Sequence, residues 1–292
     1  MSTPEVRCTC GAINDVAFDT CIRCGAPLER TRIAAGDRVR VAAQPDPGLA
    51  GPGTSVLLLG GLCAVVLMIQ MAFQLKAGGG VSFVGGDRIA ALRAGVLITT
   101  DELIRREPFR FLSAVYVHFG LVHFAFNMFG LYSQGRLADH LLGSARTIIA
   151  FVVGGVVGFV ATWGVQEALG HPASATAGAS GGLLAVMGLI LGVMRRRKMP
   201  GFATQAGNVL FYVVLFGFAV NMTQSSIAIN NTAHIGGLVV GFGFGYLWGD
   251  ARDAGGTYTR GAAIVLFLAS VASIGLALSS DVYKLVGATG IR

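Results

Sequence analysis

The chain has 292 residues, of which 53% are hydrophobic and only 13% are charged, and its formal net charge is +7. A soluble domain carries roughly 25% charged residues, so this composition excludes an ordinary soluble protein and indicates that much of the surface faces lipid. A basic chain can also bind nucleic acid, but here the basic residues cluster beside apolar runs, as in membrane proteins. We therefore expect the lipid bilayer, and no nucleic acid, as a partner.

Residues 1–30 are predicted to form a small cysteine-rich module in the cytoplasm, where a reducing environment disfavours disulfides. Its candidate metal ligands are Cys8, Cys10, Cys21 and Cys24. The Cys-x-x-Cys-Gly pattern resembles small zinc ribbons, in which a tetrahedral thiolate site stabilises a tiny domain, and it predicts a structural zinc ion. The first pair is Cys-x-Cys instead of Cys-x-x-Cys, and the alternative is a disordered tail with free thiols. The role of the module stays open between binding a cytoplasmic partner and regulation.

Residues 31–53 are basic and then rich in proline and glycine, which predicts a linker. The apolar runs of residues 54–280 then predict an all-α, polytopic membrane helix bundle, followed by a tail over residues 281–292. The first run lies behind about 50 polar residues and is therefore not expected to be a cleavable signal peptide. Seven spans are predicted, at residues 54–75, 111–133, 147–169, 180–194, 206–222, 232–249 and 261–279.

The distribution of lysine and arginine predicts the orientation of these spans. A cytoplasmic N-terminus places most of the 22 basic residues inside, including the run RRRK at residues 195–198. The C-terminus is then outside, and the protein is expected in the cell membrane. The long outside loop at residues 76–110 is half apolar, so part of it is predicted to lie at the membrane interface as an amphipathic element.

Ser180 opens the fourth span, which is short. From Ser180 to Met194 a helix covers roughly 22 Å, whereas the hydrocarbon core is about 30 Å thick. If residues 195–198 hold the inner end at the interface, residues 171–179 must descend into the bilayer as non-helical chain, which is tolerated only in a buried or wet cavity. We therefore expect Ser180 to face a water-filled pocket at a helix N-terminus, where negative charge is favoured.

Other polar residues in the predicted spans are costly in a membrane and are therefore candidates for a functional site. His123 and Asn127 are four residues apart and share one helix face, whereas His118 is predicted on roughly the opposite side. Glycine or another small residue recurs every three or four positions on two spans, at Gly181, Ala185, Gly188 and Gly192 and at Gly237, Gly241, Gly245 and Gly249. Such rows let two helices pack closely and predict contact between Ser180 and His234, where the imidazole can act as a base.

The motifs GASG (178–181), HFAFN (123–127) and AHIGG (233–237) resemble those of the rhomboid intramembrane serine proteases. The resemblance covers roughly residues 54–280 and implies six core helices plus one C-terminal helix. It implies that Ser180 is the nucleophile and His234 the general base, and that the reaction needs no cofactor. The other implied site residues are His123 and Asn127 for the oxyanion, with the Ser180 N–H, and His118, Asn231, Gly178 and Gly181 in support.

Phe109 and Arg110 resemble the family's Trp-Arg element, in which Arg110 is implied to be structural. Leu184 replaces an aromatic ring that many members pack against the histidine.

The predicted function is therefore hydrolysis of peptide bonds in or near transmembrane segments of other membrane proteins by a Ser-His dyad. The resemblance implies substrates with a locally unstable helix and small residues near the cut. Two alternatives stay open: a catalytically silent rhomboid-like protein that binds membrane clients, and a small-solute transporter or channel. The polar residues cluster in the outer half of the bundle only, which disfavours a path through it.

Overall fold

The computed structural model describes residues 5–8, 10, 12–15, 20–21, 23–26, 53–81, 83, 87–222, 230–251 and 256–284, with backbone alone for residues 5–7, 13, 15 and 214–222. Most of the predicted linker, at residues 31–53, and most of the predicted tail, at residues 281–292, lie outside this range.

The described chain is almost entirely helical, which confirms the predicted all-α bundle. Its helices are α1 (Thr54–Lys76), α2 (Arg88–Ala94), α3 (Asp101–Arg106), α4 (Arg110–Ser113), α5 (Leu121–Gly130), α6 (Arg136–Leu142), α7 (Ser144–Leu169), α8 (Ser180–Arg196), α9 (Phe202–Met222), α10 (Asn231–Trp248) and α11 (Thr257–Ser279). A 3-10 turn spans Ala114–Tyr116 and a π-helical turn spans Leu131–Gly135. The strands are β1 (Glu5–Arg7), β2 (Ile13–Asp15), β3 (Leu97–Ile98) and β4 (Ala175–Thr176).

Several of these helices have the length and composition of membrane spans, so the chain is a multi-pass membrane protein. Within the described residues, α1, α7 and α11 meet both criteria, and a bent pair of segments brings the number to as many as four. Helices α8, α9 and α10 lie where the fourth, fifth and sixth spans are predicted. At 17 residues, α8 is about 25 Å long and is enclosed by its neighbours.

The second predicted span differs from the prediction of one helix over residues 111–133. Segments Arg110–Tyr116 and Leu121–Leu142 meet at 88°. At the bend the Gln70 side chain of α1 donates to the carbonyl of His118 (3.1 Å) and accepts from its N–H (3.3 Å). These bonds satisfy backbone groups that the interrupted helix leaves without partners, so the bend is stabilised from another element.

The centre of the bundle is a close contact between α8 and α10, which confirms the close packing predicted from the rows of small residues. Glycines of each row lie against the backbone of the other helix, so that an added Cβ would collide with it; on α8 these are Gly188 and Gly192. On α10 the glycines are Gly237, Gly241 and Gly245, which lie against the carbonyl oxygens of Gly181, Ala185 and Leu189. Helix α7 closes the third side, where Gly158 lies against the backbone of Ala233.

Polar contacts join several helices at one end of the bundle. The Asp139 carboxylate accepts from the N–H (3.2 Å) and hydroxyl (2.6 Å) of Ser55 at the start of α1, and from the hydroxyl of Ser144 (2.7 Å). Beyond the end of α8, Arg197 donates to the carbonyl oxygens of Leu141, Gly249 and Ala251. The first residues of α1 and the last residues of α6, α8 and α10 therefore lie at the same end.

At the other end lies the first loop, which we define as residues 77–109. The middle of the loop is buried: residues 94–99 are enclosed, and Arg110 behind it donates to the carbonyl oxygens of Leu92 (2.8 Å) and Val96 (3.0 Å). Strand β3 of the loop pairs antiparallel with β4, in the segment before α8. The first loop is thus attached directly to the chain that leads to Ser180.

Candidate active site

Ser180 and His234 form a hydrogen-bonded pair, with 2.7 Å between the serine Oγ and the histidine Nε2. Ser180 is the first residue of α8, and His234 lies in the first turn of α10. The two rows of small residues allow these helices to approach closely, and this brings their first turns together. His234 is only 6% exposed, whereas Ser180 is half-buried and remains accessible from one side.

The pair has no third member among the described residues. The buried Nδ1 of His234 has no hydrogen-bond partner there. When Nε2 accepts a hydrogen bond from the serine hydroxyl, the neutral ring must carry its own proton on Nδ1. In a Ser-His-Asp triad a carboxylate accepts from that N–H and orients the ring. Here the ring is oriented by its position in the contact between α10, α8 and α7, so the arrangement is a dyad.

The segment before Ser180 is held in place by backbone hydrogen bonds. After α7 the chain runs without helix to β4, as predicted for residues 171–179, and β4 pairs with β3. The N–H of Gly178 then donates to the carbonyl oxygen of Ala114, at 2.9 Å. We call residues 177–180 the serine loop. Its position is therefore fixed both by the first loop and by the 3-10 turn that contains Ala114.

His123 faces the serine loop with a defined tautomer. The N–H of Phe119 donates to Nδ1 of His123, at 3.3 Å. In a neutral ring the proton is then on Nε2, which makes this atom a donor. A Cβ added to Gly178 would lie 2.9 Å from this Nε2 and 3.9 Å from Ser180 Oγ. The Nε2–H of His123 and the serine hydroxyl therefore face the same small space.

Gly178 keeps that space open. Its φ of +129° lies in a region that residues with a side chain rarely adopt. Gly178 also lies directly against the His123 ring: a Cβ at this residue would come within 2.7 Å of the ring Cε1. Both the backbone conformation and the contact therefore require glycine.

Asn127 and His118 lie on either side of His123. Asn127 is fully buried, and its side-chain amide donates to the His123 carbonyl at 2.9 Å, one turn earlier on α5. His118 is buried and its ring meets the His123 ring edge-on, at 5.1 Å between centroids. The expectation that His118 lies opposite His123 is wrong, because the chain bends between them instead of forming one helix.

The environment of His118 includes a small polar pocket. Its Nδ1 lies 3.1 Å from the carbonyl oxygen of Tyr116, and its buried Nε2 has no partner among the described residues. The ring lines a small pocket together with Gln70, Gln74 and Asp87. Such a pocket suits a water molecule that donates to Nε2.

At the start of α10 the structure places the interhelical amide at Asn230, whereas the predicted supporting residue, Asn231, is exposed. The Asn230 side chain caps α10 by accepting from the Ala233 N–H (2.9 Å) and joins it to α7 and β4 through Thr162 (2.8 Å) and Thr176 (2.9 Å). The capping preference of asparagine applies equally to both residues, and only the fold distinguishes them.

The other two predicted positions near Ser180 serve packing. The backbone of Gly181 lies in the contact between α8 and α10, where it meets Gly237. Leu184 is 1% exposed and belongs to an apolar cluster between α8, α9 and α10. An aliphatic side chain therefore fills the position at which an aromatic ring is expected.

A second cluster lies in the N-terminal module. The Sγ atoms of its four cysteines, Cys8, Cys10, Cys21 and Cys24, all lie within 4.8 Å of one another. The antiparallel strands β1 and β2 flank the first pair, and Gly25, with φ +70°, turns the chain after the second. A tetrahedral zinc–thiolate site with bonds of about 2.3 Å requires sulfur–sulfur separations of about 3.8 Å, so the four thiols fit a zinc ion.

The thiols of the module differ in acidity. Burial raises the pKa of Cys21, but hydrogen bonds from the backbone N–H groups of Cys24 and Arg23 and from the neighbouring thiols outweigh burial and lower the pKa to about 7. For Cys24, burial is the largest cause and the pKa is raised. Cys21 is therefore the more acidic of these two thiols, and the thiolate is the form that binds a metal.

Comparison with known proteins identifies the family. The Rhomboid domain family matches residues 105–251, just over half of the chain. The rhomboid protease GluP of Bacillus subtilis is 30% identical over 182 residues, which are 61% of this chain and 32% of that protein. RHOMBOID-like protein 6, mitochondrial, of Arabidopsis thaliana is 27% identical over 64% of this chain and 58% of its own length.

The rhomboid protease GlpG of Salmonella paratyphi A is 26% identical over 68% of this chain and 63% of its own length. The chain thus spans less than two thirds of each of these relatives. The matched family region contains the serine, all three membrane histidines and all three asparagines discussed above.

Proposed function

The chain belongs to the rhomboid family, and from this premise we propose that it is an intramembrane serine protease that cleaves transmembrane protein substrates. The observation that carries the proposal is the 2.7 Å contact between Ser180 Oγ and His234 Nε2. A serine hydroxyl is a weak nucleophile near neutral pH, and a hydrogen-bonded imidazole activates it. The family relation alone would also fit a silent client-binding protein, and this contact favours catalysis.

In the proposed reaction Ser180 Oγ attacks the carbonyl carbon of the scissile bond while His234 Nε2 takes the hydroxyl proton. The resulting oxyanion accepts hydrogen bonds from His123 Nε2–H and the Ser180 N–H at the start of α8, with the Asn127 amide beside them. His234 then protonates the leaving amine, and an acyl-enzyme remains. A water molecule attacks the acyl carbonyl and gives a proton to His234, which returns it to Ser180 Oγ as the carboxylic acid product leaves. No cofactor takes part.

Labelling and cleavage together test this proposal. We expect a fluorophosphonate probe to label the purified wild type at Ser180, and neither Ser180→Ala nor His234→Ala to be labelled. Cleavage of a model transmembrane substrate should fall at least about a thousandfold in both variants, since removing either dyad member removes nucleophilic catalysis. Equal cleavage by wild type and Ser180→Ala would exclude the mechanism. A wild type that is folded but neither labelled nor active would support the client-binding alternative.

We also propose that the N-terminal module holds one structural zinc ion through its four cysteines and lies in the cytoplasm. The thiol geometry supports the zinc site. The cytoplasmic location is supported by a contact between Gly25 and Arg197. A Cβ added at Gly25 would lie 3.3 Å from the Arg197 Cδ. This contact places the module at the same end as the basic run 195–198, which is the end expected inside the cell. The C-terminus is then outside.

Metal analysis tests the zinc site. Purified wild type is expected to contain about one zinc ion per chain, and Cys21→Ser/Cys24→Ser almost none, because the loss of two thiolates leaves too few ligands. Cys63→Ser is the control, since this buried thiol lies in α1, away from the cluster. A wild type without zinc after growth in zinc-supplemented medium would refute the site.

A further inference from the structure

The last described residues turn back from α11 onto the first loop. We call residues 280–284 the C-terminal clasp. The hydroxyl of Ser280 donates to Glu107 Oε1 at 2.5 Å and accepts from the N–H of Val282 at 3.1 Å. The Val282 side chain is buried, with 1% exposure. The clasp is therefore packed against the protein and is held by a specific hydrogen bond.

Ser280 completes the bonding of a buried ion pair. Glu107 is 7% exposed and Arg110 is 2% exposed, and the guanidinium Nε donates to Glu107 Oε2 at 2.5 Å. Ser280 occupies the other carboxylate oxygen and also lies 3.5 Å from the Arg110 guanidinium. A buried carboxylate oxygen that loses its donor is costly, so this hydroxyl stabilises the pair as a unit.

A second contact joins the clasp to two more elements. The guanidinium of Arg93, on α2, lies between the Phe73 ring of α1 (4.0 Å) and the Tyr283 ring of the clasp (4.8 Å). Cations over aromatic faces are attracted by the ring quadrupole. The clasp thus links α1, α2 and the ion pair at the end of the first loop.

The ion pair in turn leads to the serine loop. Arg110 begins α4, which continues into the 3-10 turn Ala114–Tyr116. The Ala114 carbonyl accepts from the N–H of Gly178, and the Tyr116 hydroxyl donates to Ser270 of α11 at 2.9 Å. One contact from α11, at Ser270, and one from the clasp, at Ser280, therefore bear on the short segment that supports the serine loop.

We propose that the C-terminal clasp, through the Ser280 hydroxyl, positions the serine loop for the reaction. Ser280 is a positioning residue: it acts through Glu107, Arg110 and Ala114 on Gly178. The expected effect of Ser280 on turnover rests on the proposed function, whereas its expected effect on the serine loop does not. Because small displacements of reacting groups lower rates strongly, loosening this support should affect turnover more than substrate binding.

The test compares neighbouring serines. We expect Ser280→Ala to lower kcat for a model transmembrane substrate about tenfold with little change in KM, and Ser280→Thr, which keeps the hydroxyl, to restore most of it. Ser279→Ala is the matched control, because this exposed hydroxyl donates to the Gly275 carbonyl within α11 and, among the described residues, makes no other bond. A wild-type kcat in Ser280→Ala, or a change in KM alone, would overturn the proposal.

Hydrogen exchange provides a readout that is independent of activity. In Ser280→Ala the amide of Gly178 is expected to exchange faster than in wild type, and in Ser279→Ala at the wild-type rate. If wild type cleaves no faster than Ser180→Ala, the proposed function fails, and exchange at Gly178 alone decides the role of the clasp. Unchanged exchange there in Ser280→Ala would refute it.

Discussion

Gly178→Ala is expected to reduce substrate cleavage by about 10² to 10³, the effect typical of losing one oxyanion donor, while the bundle stays folded. The new methyl group would enter the space between His123 and Ser180, within 2.9 Å of the His123 Nε2. The ring or the serine loop must move, and the donor then no longer faces the developing oxyanion. The measurement is kcat in detergent or liposomes, together with the rate of fluorophosphonate labelling.

Gly170→Ala controls for backbone strain in this experiment. Gly170 ends α7 with φ +64°, and an added Cβ meets nothing within 4 Å. This variant should lose about 1 kcal/mol of stability and keep its activity, because only the conformational cost applies. If Gly170→Ala were as inactive as Gly178→Ala, strain in the backbone rather than occupation of the site would explain the loss.

The sequence predicts the central contact of the fold because the information is local. A glycine at every fourth position of one span and a similar row on another specify which helix faces can approach closely. Ser180 and His234 begin these two spans, so predicting the contact between α8 and α10 also predicts their pairing. The non-helical chain at residues 171–179 follows from length alone, since α8 is too short to cross the bilayer.

The bend before α5 could not be predicted in this way. Residues 111–133 are mostly apolar apart from His118, His123 and Asn127, and their length suits one membrane-spanning helix. The bend is stabilised by Gln70, 48 residues earlier in the chain, which bonds both backbone groups of His118. The bend also decides which histidines meet, because it brings the rings of His118 and His123 together.

Long-range hydrogen bonds account for the other differences. Asn230 and Asn231 are adjacent and chemically identical, and only the positions of Thr162 and Thr176 determine which of them links α7, β4 and α10. Asp139 is an ordinary charged residue in the sequence, yet it caps α1 from 84 residues away. Ser280 gives no sequence signal, since its partner Glu107 is 173 residues distant.

Gly241→Leu is expected to destabilise the bundle by about 3 kcal/mol or more and to abolish fluorophosphonate labelling. The leucine side chain would meet the carbonyl of Ala185 in the middle of the contact between α8 and α10. Backbone cannot yield as a side chain can, so the helices must separate. Separation moves the first turn of α10 away from the first turn of α8, and Ser180 loses its base.

Gly243→Leu is the matched control on the same helix, two residues away. A Cβ at Gly243 meets nothing within 4 Å, so this variant should change the unfolding free energy by less than about 0.5 kcal/mol and keep its labelling. Both substitutions add the same apolar side chain and remove a helical glycine, and they differ only in the direction in which the side chain points. Unfolding in mixed micelles measures the change in stability, and labelling of Ser180 measures the state of the dyad. If Gly241→Leu and Gly243→Leu were equally stable and equally labelled, the dyad would not depend on the backbone contact between α8 and α10.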